Sequence, residues 1–248
     1  MTNRAVDALR ADRDVVVALG EGLEEGQWKE PSGCAGWSVQ DLYAHLSTLF
    51  WTVVDRSNVP DTQGVPTEQA QELNVQSRRA WAYDAVLAEY TDVSAQALDK
   101  LAGLEQADFV LPLGDLGTYH VSVLPNAFTF DHYTHLRADL FAPRGPLAGA
   151  LPPSDELRLV PTLDWVEAAL PQQNAELWAQ LPGAVELVVT GTAARTIVAG
   201  EGQVVARVES SADALVRWAT QRGTWEALGV QATGDGAALA AARRLKVF

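Results

Sequence analysis

The segment Gly36-Trp37-Ser38-Val39-Gln40-Asp41-Leu42-Tyr43-Ala44-His45-Leu46 reads as the start of a helix, and the architecture follows from it. Ser38 stands at the N-cap, with Asp41 three residues on in place of the usual Glu or Gln of a capping box. The apolar stripe that follows carries the helix through His45 and Trp51 to about Asp55. A second stretch, Asp131-His132-Tyr133-Thr134-His135, sets a carboxylate and an imidazole four residues apart, so both leave one face of a helix. The two stretches hold three of the chain's four histidines. Two imidazoles and one carboxylate, from His45, Asp131 and His135, suit a divalent metal with an open coordination position, zinc being the commonest. An open position means chemistry on a bound water or thiol rather than a structural clamp. Each feature alone has a plainer reading. A histidine beside an apolar stripe is commonly a packed core residue, and an Asp/His pair at this spacing can be a surface pair worth a few tenths of a kcal/mol. Their conjunction carries the metal reading.

Outward from these stretches, the first part of the chain reads as helices. Arg4 to Gly22 has an imperfect helical stripe, and Pro31 to Gly36 is a loop by composition. A third helix is expected over roughly Thr67 to Leu101 with a break near Asp92, a turn over Asp115 to Tyr119, and a fourth helix over about Val123 to Leu140. Four long amphipathic helices with mostly short connections predict an antiparallel four-helix bundle, without strands before residue 140. The longer connection from Leu101 to Ser122 is the expected loop over the site. Ala142 to Ser154, rich in Pro, Gly and Ala, reads as an interdomain linker. Beyond it come a helix over Leu163 to Leu181 interrupted at Pro171, strands at Val185–Val189 and Val204–Val208, and a helix over Ser211 to Gln221. A strand near Leu228 to Thr233 and a helix from Gly236 to Leu245 complete the pattern. The fold class is therefore α+β: a helical metal-binding domain over residues 1–142 and a smaller α+β domain over residues 155–248.

Composition narrows the function. The chain has 248 residues and a net charge of −14, from 32 acidic against 18 basic residues. Such a surface repels phosphate backbones and anionic membranes, so no nucleic-acid or membrane partner is expected. The N-terminal residues turn polar before any apolar run forms, and no stretch approaches the roughly 18 apolar residues of a membrane span. The single cysteine, Cys34, excludes an internal disulfide and a cysteine-based zinc cluster, and fits a cytoplasmic location. With no histidine near it in sequence, it reads as a small buried hydrophobe. Trp37 reads as a packing anchor, Trp51 as core or interhelical filler on another face from His45, and His132 as facing the next helix. His120, in the expected loop, is a weak substrate-contact candidate.

The quoted segment resembles the "GW-S/T-V-x-DL-x-x-HL" signature of actinobacterial DinB-like proteins, and the chain is similar to the mycothiol-dependent maleylpyruvate isomerase family. The later family motif, an acidic residue four before a histidine and then an Asp-Leu pair, matches Asp131, His135 and Asp139-Leu140. The spacing from His135 to that pair is one residue longer than usual, and Asp131 stands where the family's characterised isomerase has Glu. The resemblance implies metal ligands at His45, Asp131 and His135, with mycothiol as cosubstrate. It extends weakly to Leu215–Arg222 and Val230–Asp235, similar to the family's C-terminal module, where the usual "W-G-R" element is reduced to Thr220-Gln221-Arg222. That implies a substrate-holding arginine at Arg222; its plainer role is to complement a helix dipole.

The first functional reading is a zinc-dependent thiol enzyme, an isomerase or S-transferase, acting on a small electrophilic substrate that can bear a carboxylate. Two others stay open: a hydrolase using metal-activated water, and a non-catalytic bundle that binds a ligand or partner. A monomer or homodimer is expected.

Overall fold

A computed structural model describes residues 2–248. Four helices form the N-terminal bundle: α1 (Thr2–Gly22), α3 (Val39–Val54), α5 (Tyr83–Gly103) and α6 (Leu124–Thr134). A short α2 (Glu25–Trp28) and α4 (Thr67–Gln76) flank them. The entry to α3 is the expected one. The Ser38 hydroxyl accepts from the Asp41 amide and the Asp41 carboxylate accepts from the Ser38 amide, a reciprocal capping box. The bundle core is an aromatic stack, in which Tyr43 touches Trp28 and Tyr90, and Phe50 touches Tyr90, Phe128 and His132.

The expected third helix is two helices. The chain breaks over residues 77–82 and runs unbroken through Asp92. At the break the Ser77 hydroxyl donates to the Asn74 carbonyl, and the turn anchors two arginines. The Arg78 guanidinium is paired with Glu89, and that of Arg79 with Asp41 and Glu72. Helical periodicity on both sides concealed the interruption, because the pairs that hold the turn are distant in sequence.

The connection before α6 also departs from expectation. It forms a small antiparallel hairpin, β1 (Val110–Pro112) with β2 (Thr118–His120), so strands do occur before residue 140. Gly114 and Gly117, with φ of 61° and 120°, take the backbone through its tip. The hairpin leaves the four-helix packing intact.

After α6 the helix widens, and His135–Leu140 wind as a π-helical turn. Such turns take up an additional residue and recur at functional sites. Here the wide turn accommodates the longer spacing between His135 and Asp139-Leu140.

The C-terminal part begins with α7 (Glu156–Gln173), capped by Asp155. It starts well before Leu163 and continues through both Pro161 and Pro171, so the expected interruption is absent; a one-turn α8 (Ala175–Trp178) follows. The sheet has order β4-β3-β5-β6, from β3 (Ala184–Thr190), β4 (Arg195–Ala199), β5 (Val204–Ser211) and β6 (Gln231–Gly234). β3 and β5 are parallel, and the other neighbours antiparallel. β4 was not expected, since its polar start and five-residue length give little alternation. The helices α9 (Ala212–Ala219) and α10 (Gly236–Ala242) complete the α+β architecture. No helix among the described residues is long and apolar enough to cross a membrane.

A buried ion cluster joins the two parts. Asp12 of α1 accepts two hydrogen bonds from Arg137 of the π-turn, at 2.7 and 2.9 Å, and one from Arg158 of α7 at 2.6 Å. Arg137 also donates to the carbonyl of Pro153 and lies over the Tyr133 ring. All three charged groups are buried, so removing Asp12 leaves the Arg137 guanidinium without a carboxylate and Arg158 with only the half-exposed Asp155. Asp12→Ala should destabilise the fold by about 3–5 kcal/mol, read as a lowered urea midpoint. A midpoint unchanged within error would show that the cluster is not holding α1, α7 and the π-turn together.

Candidate metal centre

The site lies where α3 faces the end of α6. His45 is in the middle of α3 and buried, and Asp131 and His135 sit one turn apart on α6 and the π-turn. Asp131 Oδ1 is 3.4 Å from His45 Nε2 and 3.4 Å from His135 Nε2. The three donor atoms lie within 4.8 Å of one another. Four ligands at bonds of about 2.1 Å have tetrahedral edges of about 3.4 Å, the spacing of Asp131 from each imidazole. The second oxygen of Asp131 and Nδ1 of His45 are buried without a hydrogen-bond partner among the described residues. Two imidazoles, a carboxylate and unsatisfied polar atoms at one point fit a divalent cation. Asp131, one methylene shorter than Glu, reaches both imidazoles from its place on α6.

The outer side of His135 is anchored. Its Nδ1 hydrogen-bonds Asp139 Oδ2 at 2.8 Å, which fixes the ring and turns Nε2 toward Asp131. Asp139 is fully buried, and Arg222 binds the same oxygen through Nε at 2.8 Å and Nη2 at 2.6 Å. Gly33 packs against it so closely that a Cβ there would stand 2.8 Å from Asp139 Cα; the Gly33 amide donates to the Asp139 carbonyl. Burial opposes the charge on Asp131, but His135 and His45 draw its pKa well below the usual carboxylate range. For His135 burial likewise opposes charge, and Asp131, with Asp139 and Cys34 behind it, raises its pKa well above the usual imidazole value. Burial would raise Asp139 too, yet His135 and Arg222 lower it.

Two residues at the site have no role assigned by the sequence reading, Cys34 and Asp139. Cys34 Sγ lies 3.7 Å from His135 Nδ1 and 3.8 Å from Arg222 Nη2. Cys34, His135 and Asp139 could themselves be grouped around a cation. That set would forfeit the His135–Asp139 hydrogen bond and place the cation beside the Arg222 guanidinium, so the His45–Asp131–His135 set is electrostatically favoured. No local signal marks Cys34, whose partners at the site, His135 and Arg222, are 101 and 188 positions away. Asp139 did carry a signal, since it continues the four-residue spacing of Asp131 and His135 on one face. Trp37 both packs and lines the site: its ring lies 5.1 Å from that of His45, and its Nε1 donates to Glu72. Trp51 binds Glu89 between helices. His120 pairs with Asp108 on the hairpin and does not line the site, which removes it as a substrate contact.

The centre opens into a cleft of about 1010 Å³. Its walls are the His45 face of α3, α4 with the loop before it, the hairpin tip, and a C-terminal wall that includes Trp165, Arg222, Lys246 and Phe248. Residues 9–140 match the family model described as the mycothiol maleylpyruvate isomerase N-terminal domain. The chain belongs to this family. Two solved structures are similar over nearly the full length. One, the mycothiol-dependent maleylpyruvate isomerase, has a TM-score of 0.59 and 20% identity over 95% of this chain and 94% of that one. The other, a histidine-to-alanine mutant of that isomerase, gives 0.58 and 19% with the same coverage. At such identity the likeness establishes a shared fold. No curated protein matches.

His132, beside the candidate ligands in sequence, points elsewhere. Its Nδ1–H donates to the Phe128 carbonyl and its Nε2 accepts from the Tyr90 hydroxyl, a neutral ring in the bundle core. Burial lowers its pKa from 6.5 to about 4. Below pH 6.5 the unfolded chain takes a proton that the folded ring refuses. The stability from the neutral ring is therefore full above pH 6.5 and is lost as pH falls toward 4, about 3 kcal/mol in all. Unfolding titrations of the wild type and His132→Phe should show the acid loss over that window shrinking by about this amount in the variant. Equal losses would contradict it.

Proposed function

We propose that this chain is a divalent-metal-dependent thiol enzyme that activates a low-molecular-weight thiol, mycothiol by family, for reaction with a small carboxylate-bearing electrophile. The observation that carries the reading is the convergence of His45, Asp131 and His135 at the floor of a large cleft, with Asp139 orienting His135 from behind. His45, Asp131 and His135 would hold a divalent ion, whose Lewis acidity would lower the pKa of a bound thiol so that it releases its proton to solvent at neutral pH. The thiol sulfur can then add to an electron-poor double bond; rotation about the resulting single bond and expulsion of the sulfur complete an isomerisation.

The residues of the chain have separate tasks in this reading. Asp139 keeps the His135 ring in one tautomer and one orientation. Arg222 positions Asp139 through Nε and Nη2, while Nη1 donates to the Thr220 carbonyl. Arg222 lines the cleft, and its remaining N–H, on Nη1, would give a substrate carboxylate a charge-assisted hydrogen bond. Lys246, on the same wall, has no carboxylate within ion-pair distance among the described residues and rests over the Phe248 ring. An anionic substrate, which the net charge of −14 does not attract in general, finds its local cations on this wall. Trp37 and the apolar faces of Phe128, Phe130 and Trp165 keep water from the reacting end.

Metal analysis and a thiol-dependence assay test the reading together. The purified protein should hold about one zinc per chain, His45→Ala and His135→Ala should lose most of it, and Asp139→Asn should bind it about 10–100-fold more weakly. Turnover should require an added thiol. Unchanged metal content in both histidine variants would place the centre elsewhere, and full activity without thiol would favour hydrolysis by metal-activated water.

A further inference from the structure

Thr134 stands on the last turn of α6, between Asp131 and His135. It is 4% exposed and lines the cleft, and its Oγ1 is buried without a hydrogen-bond partner among the described residues. A helical threonine ordinarily turns its hydroxyl onto a carbonyl three or four residues back. Thr48, Thr52, Thr91, Thr129 and Thr162 all do so in this chain, at 2.6–2.9 Å. Thr134 forgoes that bond. A side chain present only to fill space would satisfy its hydroxyl on the helix or would be valine, so the unpaired donor calls for an acceptor that arrives with a ligand.

The helix puts this donor on a particular side of the metal centre. Thr134 lies about 60° around α6 from Asp131 in one direction, and His135 about 40° in the other. On the His135 side, Phe128 packs into the bundle core; on the Thr134 side, Ala127 and Phe130 pack against the core of the C-terminal part. Thr134 therefore sits between the candidate ligand Asp131 and the part of the protein that supplies Arg222 and Lys246 to the cleft. In the thiol-enzyme reading that is the electrophile's side. Rotation about the Cα–Cβ bond interchanges hydroxyl and methyl, so the donor reaches the cleft surface with the backbone held still.

We propose that Thr134 is a catalytic residue whose hydroxyl donates to the carbonyl oxygen conjugated to the substrate's double bond. The proposal rests on the thiol-enzyme reading and narrows its substrate to an α,β-unsaturated carbonyl compound. The sulfur's electron pair forms a carbon–sulfur bond at the alkene carbon remote from the carbonyl. The π pair shifts toward the carbonyl, whose oxygen takes the charge as an enolate. A donor held in a water-poor site stabilises that charge where it is greatest. After rotation about the new single bond the pair returns, the double bond re-forms, the carbon–sulfur bond breaks and the sulfur leaves as thiolate. Thr134 keeps its proton throughout.

Steady-state kinetics of the zinc-loaded protein with mycothiol and cis-4-oxopent-2-enoate, a carboxylate whose ketone is conjugated to its double bond, test the role. Thr134→Val, which removes the hydroxyl at nearly constant shape, should lower kcat about a hundredfold. KM, zinc content and the urea midpoint should stay as in the wild type. Thr134→Ser, which keeps the donor, should retain most of the activity. The saturated analogue 4-oxopentanoate, on which no such charge can develop, should inhibit the wild type and Thr134→Val about equally. An unchanged kcat in Thr134→Val, or a serine variant as slow as the valine one, would overturn the role and leave the thiol reading standing. Loss of zinc or a lowered urea midpoint in Thr134→Val would make the hydroxyl structural and overturn it as well. A wild type without thiol-dependent turnover would overturn both.

Discussion

The carboxylate of Asp139 is the constraint on which the site depends. It is fully buried at the point where the bundle meets the C-terminal part, and one of its oxygens takes hydrogen bonds from His135 and from both Nε and Nη2 of Arg222. A buried carboxylate is costly unless its lone pairs are met by charged donors. Meeting those of Oδ2 fixes three things together: the rotation of the His135 ring, the position of Arg222, and the close seating of the Gly33 loop that brings Cys34 alongside. The π-turn sets Asp139 on the same side as His135 despite the longer spacing between them. The Asp12–Arg137–Arg158 cluster performs the corresponding task on the far side of the same turn. Two buried ion networks thus hold one irregular stretch of helix, and that stretch carries the last histidine of the centre.

Division of labour follows from this arrangement. The bundle supplies the donor set, because side chains on facing helices converge with rotamers locked by packing. The C-terminal part supplies the cations, Arg222 and Lys246, which the acidic bundle surface does not offer to the cleft at that wall. The loop before α4 and the hairpin tip close the remaining side through the Thr67–Asp115 contact. A cleft shared in this way can take a ligand with chemically different ends, a requirement of any enzyme that brings a bulky thiol to a small anion.

Much of this was legible in the sequence because it is local. The Ser38–Asp41 cap, the spacing of Asp131 and His135, and the change of pattern after residue 155 are written in neighbouring residues. What was missed is held by long-range pairs or short irregular pieces. The break over residues 77–82 is fixed by Glu89, Asp41 and Glu72; the hairpin of β1 and β2 has three-residue strands; β4 lacks clear alternation. Pro171 suggested an interruption that the helix α7 absorbs through its tertiary packing. Cys34 was set aside for want of a nearby histidine, and the fold brings His135 to it across 101 positions. Arg222 was placed near the site only by resemblance, and its pairing with Asp139 has no trace in local sequence.

The central claim is that the ion sits on His45, Asp131 and His135 with a position open to a thiol, and not on Cys34. X-ray absorption fine structure at the zinc edge of the loaded protein tests this most directly. The account predicts only nitrogen and oxygen neighbours without thiol, and one sulfur at about 2.3 Å once mycothiol is added. A sulfur neighbour already present in the thiol-free protein would make Cys34 a ligand, and a spectrum unchanged by the thiol would deny it the open position; either result would contradict the account.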